Sequence, residues 1–147
     1  MYHRGWPPSA VLKDTFTVLR DARAAQGLVS SVVPDEIGGA RTAVTELSAH
    51  GHRRIAFINN VDDIPATHGR LGGYRSALAV AGIPFDPDLL VFDRPETFAG
   101  YRAGKVLLGR ADRPTAIFCF NDQVAMGVYQ AAHELDLRIP EDLSVIG

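Results

Sequence analysis

Cysteine is nearly absent from this 147-residue sequence, and so is any surplus of positive charge. The single Cys119 excludes an intramolecular disulfide, and its place inside an apolar run predicts an inert core thiol rather than a reactive one. Fifteen Lys and Arg against seventeen Asp and Glu give a net charge of −2, which lacks the basic excess that binding a phosphate backbone requires. No direct nucleic-acid contact is therefore expected from this chain. Long hydrophobic runs are missing as well. No stretch approaches the roughly 18 apolar residues of a membrane helix, and residues 1–10 hold no apolar core of a signal peptide. The expected setting is cytoplasmic, without a membrane partner. No repeat, low-complexity tract, GxxxxGK loop or dinucleotide fingerprint occurs; Gly72-Gly73 falls inside a helical pattern instead of between strand and helix.

The chain does carry enough apolar sequence, 46% of its residues, for one compact domain. From Val32 onward short apolar runs alternate with longer amphipathic segments, the pattern of right-handed βαβ units and a parallel sheet. Residues 28–33 read as a strand. Ala40, Ala43, Val44 and Leu47 mark one face of a helix that Gly51 ends. Residues 54–59 form the next strand, and a loop with Asp62, Asp63 and Pro65 leads to a helix with Leu71, Tyr74, Leu78 and Ala81 on one side and Gly82 as its stop. A strand near residues 89–92 and a helix near 98–110 follow, the latter buried through Ala103, Val106 and Leu107. The run Thr115-Ala116-Ile117-Phe118-Cys119-Phe120 reads as a strand covered on both faces. The helix after it buries Val124, Val128, Ala131 and Leu135, and Ile139-Pro140 marks its exit. Residues 1–31 fit the alternation poorly: Gly5-Trp6-Pro7-Pro8 is a breaker cluster, and residues 14–26 read as a helix with irregular apolar spacing, closed by Gly27.

Candidate functional residues cluster where strands end. Asn121-Asp122 stands at the carboxyl end of the strand at 115–120, where open α/β sheets bind small ligands. The same residues suit the start of a helix, where Asn and Asp accept orphan backbone N–H groups. Arg70 lies where a loop meets a helix; its guanidinium offers a fixed fork of donors for adjacent hydroxyls or a carboxylate. Asp35 precedes a helix start, as an N-cap or a first-turn acid does. His50 and His52 lack a nearby Cys or acid to complete a metal set, and neither Ser76 nor Cys119 sits in a recognisable nucleophile elbow. No metal, cofactor or catalytic residue is expected.

Taken in order, Gly39-Ala40, Leu47, Gly51-His52-Arg53-Arg54-Ile55-Ala56-Phe57-Ile58, Arg70-Leu71-Gly72-Gly73-Tyr74-Arg75-Ser76-Ala77-Leu78, Gly100-Tyr101, Arg113-Pro114-Thr115-Ala116-Ile117-Phe118, Asn121-Asp122, Ala125-Met126-Gly127 and Leu137 to Gly147 resemble the effector-binding core of LacI-type (lactose and purine repressor) transcription regulators. The resemblance spans residues 32–147, read as a partial effector-binding domain, with residues 1–31 as a poorly matched segment. It implies a three-layer α/β/α parallel sheet of the type I periplasmic-binding-protein kind, mainly the second lobe of a two-lobed core. It also implies a small sugar or related polyol as effector, a homodimer, and allosteric control of DNA binding by a helix-turn-helix head that these residues do not contain. Arg70 matches the ligand-gripping arginine of the family, Asn121 and Asp122 its polar cleft pair, and Asp35 a polar position from the other lobe. Two positions depart: Ala66, with Thr67 beside it, stands where Ser or Thr is usual, and Pro95 stands where an aromatic is usual, with Phe92 and Phe98 as nearby substitutes. Without the first lobe, the chain is expected neither to close a cleft nor to bind an operator. An exported sugar-binding protein of a transporter and a small α/β enzyme using Asp122 or Asp35 are the two rival readings.

Overall fold

The structure, a computed structural model, describes residues 15–21 and 29–147, which fall into two units, Met1–Asp35 and Glu36–Gly147. In the first unit strand β1 (Val18–Arg20) pairs in parallel with β2 (Ser30–Val32), with Val18 opposite Ser30 and Arg20 opposite Val32. This corrects the expected helix across residues 14–26, whose other residues lie largely outside the described ones. Thr15-Phe16-Thr17-Val18 is rich in β-branched and aromatic side chains, which suit a pleated strand better than a helix turn.

The second unit is a three-layer α/β/α arrangement. Helix α1 (Glu36–Ala49) leads into β3 (Ile55–Asn60), α2 (Pro65–Val80), β4 (Leu90–Asp93), α3 (Thr97–Leu108), β5 (Ala116–Cys119), α4 (Asp122–Glu134) and β6 (Ser144–Ile146). The sheet is parallel throughout, in the order β4-β3-β5-β6. Its central strands are buried along their whole length, and their apolar runs, Ile55 to Ile58 and Ala116 to Cys119, are unbroken as such burial demands.

Alternation along those strands sorts the core into two clusters. Ile55, Phe57, Ala116 and Phe118 pack with Ala40, Val44, Leu47, Tyr74 and Leu78 of α1 and α2. Ala56, Ile58, Ile117 and Cys119 pack with Ala103, Leu107, Val124, Val128 and Ala131 of α3 and α4. Phe57 is stacked on Phe118 with centroids 4.6 Å apart, and the buried Tyr74 donates its hydroxyl to the Ile55 carbonyl at 2.8 Å. Burial pushes the Cys119 thiol up to about 12, so it stays protonated.

Each helix pair meets through small residues. A Cβ on Gly73 would strike the Ile37 carbonyl and the Ala40 side chain, while Gly100 and Gly127 lie directly against the backbone of the opposing helix, at Val124 and at Thr97 and Tyr101. Val106 corrects the expectation for α3: it is exposed, and Leu108, Gly100 and Gly104 are buried with Ala103 and Leu107. The face toward α4 has to be smooth, and valine would hold the helices apart. The stops expected at Gly51 and Gly82 are present, with φ of 89° and 65°, conformations that a side chain would strain. Helix α2 ends at Val80, one residue short of Ala81.

The amino ends of the strands are tied together by side chains. His52 Nδ1 lies 2.9 Å from the Thr115 hydroxyl and Nε2 lies 2.9 Å from the Ser144 hydroxyl, so one imidazole spans the approaches to β3, β5 and β6. Arg54 donates to the Asp112 carbonyl and carboxylate and to Asp86. Burial, and secondarily the neighbouring His50, lower the His52 pKa below its ordinary value near 6.5. The folded state therefore favours neutral His52, and the unfolded chain takes up its proton first. Stability from this group is present above about pH 6.5 and is lost as pH falls through and below that value. Urea midpoints measured from pH 7.5 to 5 should decline, and His52→Gln should flatten that decline below about pH 6.5. An identical slope in the variant would show that other groups cause it.

Candidate functional site

The strand order creates a switch point. The chain leaves β3 through α2 toward β4, and leaves β5 through α4 toward β6 on the opposite side and opposite face. The loops after β3 and β5 thus part from one another at the carboxyl edge, which is where a ligand crevice forms in open parallel sheets.

Asn59 and Asn60, the last residues of β3, are buried polar side chains in an otherwise apolar strand. Asn59 Nδ2 donates to the Thr67 carbonyl at 3.1 Å and its Oδ1 accepts the Asn60 N–H at 2.9 Å. Asn60 Oδ1 accepts from the Asp62 N–H, and the Thr67 hydroxyl donates to the Asp62 carbonyl at 2.7 Å. Ala66 and Thr67 are both buried, so Thr67 is spent on holding this loop. Next to it an open cavity of about 560 Å³ is lined by Val61, Asp62, Arg94, Pro95, Glu96 and Gln123, from the ends of β3 and β4 and the start of α4.

Arg70, in the second turn of α2, is held on several sides. Its Nε donates to Glu36 Oε2 at 2.7 Å, its Nη1 donates to the Phe120 carbonyl, and its guanidinium carbon lies 4.4 Å from the centre of the Phe120 ring. Both partners of the ion pair are largely withdrawn from water, the Arg70 side chain being 26% exposed and that of Glu36 11%. Arg70 does not line the 560 Å³ cavity; it stands beside the end of β5.

Asn121 caps α4: its Oδ1 accepts the Val124 N–H at 2.9 Å while Nδ2 donates to the Pro95 carbonyl at 3.1 Å. The second contact ties the end of β5 to the loop after β4, and leaves one amide hydrogen and one oxygen lone pair for a ligand. Asp122 is exposed, with its carboxylate against Gly147 just past β6. Phe120 links these groups, since Arg70 binds its carbonyl and Asn121 follows it in sequence. Asp35 belongs to the first unit, immediately before α1. Phe92 and Phe98 are exposed, Phe98 being stacked with Tyr101 at 6.3 Å.

Two members of this arrangement escape sequence reasoning. Glu36, next to Asp35, is the acid that meets Arg70, and Phe120 supplies both a ring and a carbonyl to the same guanidinium. The available signal was an acid in the first turn of α1, which dipole complementarity alone accounts for. Among the described residues no three His, Cys, Asp or Glu side chains converge on a possible metal position, and no helix is long and apolar enough to cross a membrane.

A sequence profile described as a periplasmic binding protein-like domain matches residues 44–147. The HTH-type transcriptional repressor CytR of Escherichia coli K12 is 39% identical over 113 residues, covering 77% of this chain and 33% of the repressor. A regulatory protein of the LacI family from Chloroflexus aggregans superposes with a TM-score of 0.80 at 33% identity, over 88% of this chain and 47% of that one. A LacI family regulator from Enterococcus faecium, solved with bound ribose, gives 0.74 at 32% identity over 88% of this chain and 48% of its own. The chain thus spans a third of the repressor's length and about half of each solved relative. The parallel α/β sheet agrees with those matches: the chain belongs to the periplasmic binding protein-like domain family, and it is similar to a part of LacI family transcription regulators.

Proposed function

We propose that residues 32–147 sense a small neutral effector, a sugar or related polyol, and that effector binding shifts DNA binding by a helix-turn-helix segment outside these residues. The observation that carries this reading is the grouping of Arg70, Phe120 and Asn121, with Asp122 beside them, at the carboxyl end of β5. A polyol hydroxyl accepts from Arg70 and donates to Asp122, and a hydrogen bond involving a charged group contributes about 1.5–3 kcal/mol. The ribose held by the Enterococcus relative supports a sugar as the class. Asp35 is a further effector contact on the family resemblance. Binding of this kind changes regulation only where the effector prefers one arrangement of the two lobes. The regulator works as a cytoplasmic homodimer. That it performs no chemistry on its ligand agrees with relatives named as a transcriptional repressor and a regulatory protein.

Amide spectra of the 15N-labelled chain, titrated with pentoses, hexoses and nucleosides, should show shifts centred on Arg70, Asn121 and Asp122 for at least one of them. Arg70→Lys keeps the charge but removes the fork and should weaken that binding on the order of tenfold. The proposal fails if every compound leaves those amides unmoved, or if the shifts persist unchanged in Arg70→Lys.

A further inference from the structure

The Glu36–Arg70 pair bears on which ligands the site admits. Glu36 occupies the Nε donor of Arg70 at 2.7 Å, the Phe120 carbonyl takes Nη1, and one face of the guanidinium rests on the Phe120 ring. What Arg70 has left for a ligand is its Nη2 amine and the second hydrogen of Nη1, already offset in charge by a carboxylate in direct contact. Carboxylates and phosphates bind arginine best through two parallel N–H donors; Glu36 takes one donor of the side-on Nε–Nη2 pair, and the end-on Nη1–Nη2 pair shares Nη1 with the Phe120 carbonyl. A neutral hydroxyl needs only one donor. The surroundings point the same way, since Asp62 and Glu96 line the neighbouring cavity against Arg94 alone, and Asp122 stands exposed at the start of α4.

We infer that Glu36 is a specificity-determining residue: by pairing with Arg70 it offsets the cation's charge and removes its side-on donor pair, and so restricts the effector to neutral, hydroxyl-bearing molecules and excludes carboxylates and phosphate esters. Glu36 acts through Arg70 and is a positioning residue. The inference rests on the reading that Arg70 meets the effector.

The test follows the Nε–Hε resonance of Arg70 in 15N-arginine-labelled chain, assigned by its loss in Arg70→Lys, during titration with inorganic phosphate at constant ionic strength. In the wild-type chain phosphate should leave the resonance in place. In Glu36→Gln the signal should move at the start, because its carboxylate is gone, and phosphate should then perturb it with an apparent affinity on the order of tenfold higher. Equal responses in both proteins, or no response in Glu36→Gln, would overturn the inference. Should that variant fail to fold, the wild type still decides: the Arg70 Nε–H must exchange with solvent far more slowly than that of the exposed Arg41, and equal rates would refute the pairing on which everything depends. The two proposals fail separately. If no sugar perturbs Arg70 yet the phosphate contrast persists, the effector class is wrong and the charge filter stands; if sugar binds and the contrast vanishes, the filter is wrong.

Discussion

Valine in place of Gly127 is expected to lower the unfolding free energy by about 3 kcal/mol, the upper part of the range for overpacking a tight core. A Cβ at Gly127 would collide with the Thr97 carbonyl, the Tyr101 nitrogen and the Gly100 carbonyl carbon. All three are backbone atoms of α3, so no rotamer change relieves the contact. The helices would have to separate, and Leu107, Val124, Val128 and Ala131 between them and the sheet would lose their packing. Urea denaturation followed by far-ultraviolet circular dichroism measures the loss. Gly72→Ala is the control: nothing lies within 4 Å of a Cβ there, and alanine should raise stability by about 0.5–1 kcal/mol through helix propensity. A Gly127→Val chain as stable as the wild type would mean that α3 and α4 do not meet as closely as described.

Removal of the Arg70 side chain should have an effect of similar size for a different reason. Arg70→Ala removes the guanidinium that faces Glu36, 11% exposed, together with the donor that Arg70 gives the Phe120 carbonyl. Breaking such a pair from one side costs about 3–5 kcal/mol when it is fully buried; partial solvent access to Arg70 brings the expectation down to about 2 kcal/mol. Glu36→Ala should cost less, because Arg70 keeps the Phe120 carbonyl and ring. The double variant should be more stable than the sum of the single losses predicts, by about 1 kcal/mol or more, since neither charge is stranded. Strict additivity in this cycle would show that the pair does not interact in solution.

How much of this was legible in the sequence depends on the range over which each signal acts. The β5 run from Ala116 to Cys119 and the β3 run from Ile55 to Ile58 declare themselves, because a strand covered on both faces has to be apolar at every position. Gly51 and Gly82 likewise mark helix ends through a backbone angle that is local. Strand β1 is different: three residues carry no measurable period, and its identity comes from pairing with Ser30–Val32, ten or more residues away. Val106 looked like core because valine is apolar, whereas the helix contact selected Gly100 and Gly104 earlier in the same helix. At the candidate site, Arg70, Asn121 and Asp122 were nameable from their places at loop and strand ends and from the family resemblance, but neither says what those side chains already hold. Asn121 turned out to be shared between a cap and the Pro95 carbonyl, and the partner of Arg70 was Glu36, thirty-four residues earlier on another helix. A single ion pair between two helices leaves no periodic trace in either segment.

The His52 bridge and the Arg54 ion pairs fasten the strands at one edge of the sheet, while Arg70, Asn121 and Asp122 stand at the other. Such a division separates foundation from fittings. Loops at the carboxyl edge can be rewritten for a new effector while the amino edge keeps the strands in register, which makes this half-core a practical chassis for building sensors with altered ligand preference.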